Sequence, residues 1–389
     1  MAPCDIFIFA GEKSGDLHGG KLVSSLLHTH PHLNIEGVGG PEMRAAGLTC
    51  ILPMEDFQVM GFIDVFLALP KLIRQFYAIR NAILEKQPKV VVFIDYPGFN
   101  LRMASALRKK NYKGKLCHFI CPSVWAWGKK RIPLMAKSLD LLLTILPFEK
   151  KYFSETSLKV DFVGHPLIQK IASYPYQTLA FPKGRRIIGI FPGSREKELR
   201  RNFPEHLKVA KQLLKDDPSC FFVVSVSEPR FHAQLTQMIH LEGLNLSQDI
   251  MLLPTEQTYD LMQSAEMAIA KSGTVTLELA LHEVPTVVTY GISPLDLFIA
   301  RDLLRIRLPF YCLVNIIGEK EIFPELFGPN LTVSTLYKKA KEFLFDKDKQ
   351  QQCRRLCKEL RLSMGSTDAS EEAARLIAQL SGKNDQSVS

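Results

Sequence analysis

GIFPGSREKEL, residues 189–199, reads as an apolar run ending at Phe191, a turn at Pro192-Gly193, and a helical start at Ser194-Arg195-Glu196. A strand turning sharply into a helix is the building unit of a parallel, doubly wound sheet. It leaves the free N–H groups of the helix start beside the carboxyl end of the strand. The same unit recurs on both sides. Toward the C terminus follow FFVVSVS before EPR, IMLLP, MAIA before KSGT, and PTVVTY before GISP. Toward the N terminus a separate series runs CDIFIFA before GEKSGD, VVVFID before YPGFN, KLCHFIC before PSVWAW, and DLLLTIL before PFEK. Between the series lies HPLIQKIASYPYQTLAFPKGRR, residues 165–186, rich in turn formers and without a period, which reads as a domain boundary. The sequence therefore predicts an α/β chain of two doubly wound, Rossmann-like domains facing a central cleft. They would span residues 1–165 and 166–334, with 335–389 as closing helices and a frayed tail. Ligands of such sheets bind outside the carboxyl ends of the strands, so the segments after each strand are where a site is expected.

The 389 residues exceed what one hydrophobic core usually supports, and 46% apolar content is enough for two. MAPCDIFIFAGEKSGD lacks the order of a signal peptide. The most apolar stretch, VMGFIDVFLALPKLIRQF, is interrupted by Asp64, Lys71 and Arg74. A cytoplasmic address is expected, and the eight cysteines then read as thiols. Cys117 with Cys121, and Cys353 with Cys357, lack a second Cys/His pair at zinc-site spacing, so no metal is expected. No cofactor is expected either. The net charge of +9 is concentrated: between Tyr96 and Leu139 there is no acidic residue, while Arg102, Arg108, Lys109, Lys110, Lys113, Lys115, Lys129, Lys130, Arg131 and Lys137 are all basic. Such a segment suits phosphates of nucleic acid or of an anionic membrane surface, or is a solvated pair of helices.

Gly193, Ser194 and Arg195 suit an anion: the glycine admits close approach, the serine donates or caps, and the guanidinium matches a diphosphate. This is neither a Walker loop nor the Gly-x-Gly-x-x-Gly of dinucleotide binding. In AKSGTVTLELA, residues 270–280, Ser272, Gly273 and Thr274 sit at a second strand-to-helix junction. Glu278 follows one turn on, placed either to accept ribose hydroxyls or to lie solvated. In the first domain, AGEKSGDLHGG has glycines that permit a tight turn and offers Glu12, Ser14 and Asp16 to a sugar, and FIDYPGFN sets Asp95 at a strand end with Asn100 after the turn. A carboxylate so placed can take a proton from an alcohol, or simply bond the turn.

Together these segments resemble the lipid-A-disaccharide synthases, cytoplasmic glycosyltransferases of outer-membrane lipid biosynthesis with the two-domain GT-B fold. The resemblance is carried by AGEKSGDLHGG, GVGGPEMRAAG, MGFIDV, IDYPGFN, CPSVWAWGKKRI, LPFEK, FVGHPL, PGSREKEL and KSGTVTLELAL, in that order along the first 290 residues. It implies an inverting transfer of 2,3-diacylglucosamine from UDP to the 6-hydroxyl of diacylglucosamine 1-phosphate. It also implies a donor site of Gly193, Ser194, Arg195, Ser272, Gly273, Thr274, Glu278 and Asn315. On the acceptor and cleft side it implies Ser14, Gly15, Asn100, Ser123, Trp125, Trp127 and His165. Where many relatives read Asp-Phe-Asn this chain reads Gly98-Phe99-Asn100, which leaves Asp95, Glu12 or Asp16 as the candidate base. Gly328 likewise stands where relatives often carry Gln.

Trp125 and Trp127, the only tryptophans, stand beside Lys129, Lys130 and Arg131. Either they form a platform for a sugar, an acyl chain or a lipid headgroup, or they pack in the first domain's core. With MGFIDVFLALPKLIRQFYAIR they suggest a peripheral membrane face on the inner side of the cytoplasmic membrane, in contact with anionic phospholipids. A homodimer exchanging its closing helices is compatible with the resemblance. The rival readings are another UDP-sugar enzyme of the same fold, such as a peptidoglycan-precursor N-acetylglucosaminyltransferase or a UDP-sugar 2-epimerase, a two-domain solute-binding protein, and a basic nucleic-acid-binding protein. The last lacks a recognition motif with stacked aromatics, and no nucleic-acid partner is expected.

Overall fold

A computed structural model of the chain describes residues 3–57, 62–298 and 308–382. The chain divides into two compact units, Met1–Pro166 with Ser366–Ser389, and Leu167–Gly365.

In the first unit, strands β1 (Ile6–Ala10), β2 (Ile35–Gly39), β3 (Thr49–Pro53), β4 (Val90–Ile94), β5 (Lys115–Phe119), β6 (Leu141–Thr144) and β7 (Lys159–Phe162) form one parallel sheet. Their order is β3-β2-β1-β4-β5-β6-β7. The direction of winding reverses between β1 and β4, and their register, Ile6 opposite Val90 through Ala10 opposite Ile94, brings their carboxyl ends level. IFIFA and VVVFI are buried at every position because helices cover both faces, so these strands read as continuous apolar runs. Alternate residues feed separate cores. Ile6, Ile8 and Ala10 meet Leu22, Val23 and Leu26 of the helix Lys13–Thr29 on one face. Phe7 and Phe9 meet Ile79, Ile83, Leu101 and Leu107 on the other.

The segment expected to close the fold is shared between the units. The helices Val333–Phe345 and Lys347–Ser363 belong to the second, whereas the helix Ala369–Leu380 inserts Ala373, Ala374 and Ile377 into the core beneath β1. Its start is capped by Asp368, which accepts the Ser370 and Glu371 amides. Gly164 has φ +93°, and a Cβ there would stand 2.8 Å from the Thr367 carbonyl oxygen, so this approach of two chain segments requires glycine. The tail, residues 383–389, lies outside the described residues.

In the second unit, β8 (Arg186–Phe191), β9 (Cys220–Val226), β10 (Ile250–Pro254), β11 (Met267–Lys271), β12 (Thr286–Tyr290) and β13 (Glu325–Phe327) pair in parallel in the order β10-β9-β8-β11-β12-β13. Here the reversal falls between β8 and β11. Arg186 ties the amino edge of this sheet to the flanking loops, meeting Asp217 at 2.9 Å and Glu266 at 2.5 Å. Among the described residues no helix is long and apolar enough to cross a membrane.

Candidate active site

The reversal between β8 and β11 opens a cavity of roughly 400 Å³. Gly193, Ser194 and Arg195 after β8, Gly273, Thr274 and Glu278 after β11, and a hydroxyl row of Ser225, Ser227, Thr255 and Thr258 line it. Gly193 has φ +120°, and a Cβ there would lie 2.7 Å from Glu198 Oε2, so both the turn and the neighbour demand glycine. Arg195 is the extended N-cap of the helix Glu196–Asp216, and its side chain is 83% exposed at the cavity rim.

Two residues not singled out from the sequence complete this end. Lys271, the last residue of β11, donates to Glu198 Oε1 at 2.9 Å, while Oε2 accepts the Ser194 amide at 3.1 Å. Arg195 stands 3.7 Å from Oε1. Burial would raise the Glu198 carboxyl, but these donors outweigh it and hold the group below the usual carboxylate range. At the other end Glu278 is fixed by Tyr259, whose hydroxyl donates to Oε1 at 2.6 Å, with Lys170 at 3.7 Å. Burial keeps the Tyr259 hydroxyl protonated.

Two residues expected on the donor side are not among those lining the cavity. Ser272 does not line the cavity; its hydroxyl donates to the Tyr311 carbonyl at 3.5 Å. Asn315 is fully buried, donates to Phe323 O and Glu325 Oε1 at 2.7 Å each, and accepts the Ile322 and Phe323 amides at 2.8 and 2.9 Å. Its hydrogen-bonding capacity is filled by the chain entering β13.

In the first unit, the reversal between β1 and β4 carries the carboxyl groups. Asp95 and Tyr96 both take left-handed backbone angles, φ +48° and +43°. Asn100, fully buried, stabilises that turn by donating to the carbonyls of Ile94 at 3.3 Å and Asp95 at 2.5 Å. Burial raises the Asp95 carboxyl, against the opposing pull of the Tyr96 amide and the Ser14 hydroxyl. Glu12 is raised first by desolvation and then by the charge of Asp95. Gly11 allows the close approach of Tyr96, since a Cβ there would lie 2.8 Å from the Tyr96 ring.

Asp16, the third candidate base, is held by backbone amides. It is 2% exposed and accepts the amides of Gly40 at 2.7 Å, Glu42 at 3.0 Å and Met43 at 3.1 Å, capping the helix Pro41–Ala45 from 24 or more residues away. A carboxylate bonded to three amides orders the fold at this turn. Gly15 packs its backbone near Ala10 and the Ile94 carbonyl, at the same reversal. His165 is buried, and burial with neighbouring His18 pushes its imidazole down to about 4, so it is neutral near pH 7.

Ser123 is exposed at the start of the turn Val124–Gly128. Trp125 is half-buried and packs edge-to-face on Phe148 at 5.6 Å. The side chain of Trp127, and Met60-Gly61 of the MGFIDV segment, lie outside the described residues. Beneath this turn Glu149 is 1% exposed, accepts the Leu146 amide at 3.2 Å, and is raised by burial to about 8. The basic segment is only partly available to a partner. Arg108 bonds the carbonyls of Ser138, Tyr112 and Gly114 and pairs with Asp140, which also faces Lys115 at 3.5 Å. Arg102, Lys109, Lys110, Lys113, Lys129, Lys130 and Lys137 are exposed.

Two doubly wound units, each with polar groups gathered where its winding reverses, define an α/β protein of the GT-B class. Solved structures agree on the fold. The glycosyltransferase of kitacinnamycin superposes with a TM-score of 0.61 at 14% identity, covering 98% of this chain and 100% of that one. S. aureus MnaA, solved with UDP, superposes with a TM-score of 0.61 at 13% identity, covering 96% of each. Within that class the sequence is decisive: residues 6–379 match the family model described as lipid-A-disaccharide synthetase, and the chain belongs to that family. The lipid-A-disaccharide synthase of Geobacter sulfurreducens is 30% identical over 383 residues, covering 97% of both chains. That of Chlamydia pneumoniae is 39% identical over 364 residues, covering 90% of this chain. The chain spans 59% of the length of that chlamydial relative.

Proposed function

We propose that the chain is an inverting glycosyltransferase that moves 2,3-diacylglucosamine from UDP to the 6-hydroxyl of 2,3-diacylglucosamine 1-phosphate, giving a β-1,6-linked disaccharide 1-phosphate and UDP. Membership of the family and the cavity of the second unit support this reading. The cavity joins an anion-receiving turn, Gly193–Arg195, to a fixed carboxylate, Glu278, with hydroxyls between them. Such a set suits a diphosphate at one end and a ribose at the other, and the UDP in the S. aureus relative of the fold agrees in ligand class.

In this reading the diphosphate lies against the Gly193–Arg195 amides and the Arg195 guanidinium, with Gly273 and Thr274 alongside, and Glu278 accepts the ribose hydroxyls. The acceptor belongs to the first unit, where Asp95 takes the proton of its 6-hydroxyl. Burial raises this carboxyl, which makes its anion a better base, and Ser14 and the Tyr96 amide keep the anion accessible. As the O6–H bond breaks toward Asp95, O6 bonds to the anomeric carbon. The bond from that carbon to the UDP oxygen breaks on the opposite face, and UDP leaves with the electron pair, its charge met by Arg195 and the helix start. Inversion follows from this single displacement.

Because both sugars carry acyl chains, peripheral attachment to an anionic membrane face is part of the proposal. Ile73 and Tyr77, one turn apart on the helix Phe62–Lys86, are 48% and 49% exposed, and the exposed lysines of the first unit suit lipid phosphates. A homodimer belongs to the proposal as well. The test is UDP release in detergent micelles containing the diacylated donor, with and without the acceptor 1-phosphate. Release that requires the acceptor supports the reading, and release independent of it would overturn it.

A further inference from the structure

The anion-receiving turn of the second unit already holds an anion, supplied by the chain itself. Glu198, in the first turn of the helix Glu196–Asp216, folds its carboxylate back so that Oε2 accepts the Ser194 amide and Oε1 takes Lys271 Nζ, with Arg195 alongside. These are the donors that a diphosphate lying on the Gly193–Arg195 turn would seek. Glu198 and Lys271 are each only 17% exposed by side chain, so the pair is removed from bulk water where charge interactions are strong. Lys271 is also held 5.1 Å over the Tyr290 ring, a second contact that restrains its ammonium.

A fixed carboxylate beside an incoming diphosphate is a like-charge cost, and a lysine with no partner in a half-buried site is a desolvation cost. The arrangement balances one against the other. We propose, resting on the donor-site reading above, that Glu198 is a resident counter-anion of the diphosphate subsite. It neutralises Lys271 while the site is empty and surrenders Lys271 and the Ser194 amide to the donor's phosphates. Lys271 is then a phosphate-binding residue of the site, and Glu198 limits how tightly UDP is held, which favours its release after transfer.

The experiment is calorimetric titration of the full chain with UDP, inorganic diphosphate and uridine, for wild type, Glu198→Gln and Lys271→Met. Glutamine keeps an acceptor for the Ser194 amide and removes the competing charge. Glu198→Gln should therefore bind UDP and inorganic diphosphate about threefold or more tightly than wild type, and uridine equally. Lys271→Met should bind the two phosphate ligands about tenfold or more weakly, again with uridine unchanged. Should Glu198→Gln prove unfolded by its melting curve, Glu198→Ala takes its place with the same expectation. Unchanged or weaker phosphate binding in the folded Glu198 variant would overturn the proposal. So would a gain that extends equally to uridine, since that marks a reshaped cavity. If wild type binds inorganic diphosphate and not UDP, the donor-site reading fails, while the counter-anion role stands or falls on whether the Glu198 variant binds diphosphate more tightly. Absence of binding by every ligand would overturn both.

Discussion

The Tyr259 hydroxyl donates to Oε1 of Glu278 at 2.6 Å, across 19 residues of chain, and fixes the carboxylate that faces the nucleotide cavity. Tyr259→Phe removes that donor while keeping the ring packed on Tyr174 and His282. One lost hydrogen bond to a charged group costs about 1.5–3 kcal/mol when it acts directly, and less when it only orients another contact. The Michaelis constant for the UDP-sugar should rise several-fold with a smaller change in kcat. A 2′-deoxyribose donor should show little further loss in the variant, which steady-state kinetics with both donors will check.

Arg195→Ala should leave the fold intact, because the side chain is 83% exposed and its ion pair with Glu198 spans 3.7 Å. Loss of a charged hydrogen bond to phosphate corresponds to about 1.5–3 kcal/mol, or roughly 10- to 150-fold in UDP affinity. Calorimetry with UDP, beside a melting curve matching wild type, tests this. Near-normal turnover in the variant would remove the Gly193–Arg195 turn from the donor site.

Asp95→Asn keeps the shape of the turn after β4 and deletes the proton acceptor, so kcat should fall by about 10²- to 10⁴-fold with the donor Michaelis constant little changed. Burial raises this carboxyl, so the base is lost to protonation sooner as pH falls. The acid limb of kcat/KM should therefore lie above the ~3.9 of a free aspartate. A raised pKa in the fold also means that the ionised group disfavours folding at neutral pH. The variant should accordingly melt no lower than wild type.

Glu149 gives a pH dependence of stability that is independent of catalysis. Its carboxyl is raised to about 8 by burial, against ~4.3 in an unfolded chain. Between those values the folded protein holds a proton that the unfolded one lacks. The stabilisation is full below the unfolded value and is lost as pH rises through about 8. In Glu149→Gln this slope should vanish. The stability of wild type relative to the variant in urea unfolding, followed from mildly acid to mildly alkaline pH, should fall by on the order of a few kcal/mol.

How much of this was legible in the sequence depended on whether the deciding contact was local. The runs CDIFIFA, VVVFID, RIIGIF and MAIA announced buried parallel strands because both faces of such sheets are covered. The Gly193 turn announced itself by a strand meeting a helix start. Ile35–Gly39 was not anticipated as a strand, since two of its five residues are glycine, nor was Glu325–Phe327, which is three residues long. The helix-capping bonds of Asp16 were not legible because the amides it accepts belong to Gly40, Glu42 and Met43. Lys271 and Glu198 stood in quoted motifs 73 residues apart, and only folding brings them to 2.9 Å. Asn315 drew its assignment from resemblance, and its amide is filled by neighbours as close in sequence as Ile322.

The most direct test of the account is the structure of the product formed from the diacylated UDP-sugar and the diacylglucosamine 1-phosphate, determined by mass spectrometry and proton NMR. The account predicts a tetraacyl disaccharide 1-phosphate with a β-anomeric linkage to carbon 6. An α-linked product, attachment at another hydroxyl, or an epimerised sugar with no disaccharide would contradict it.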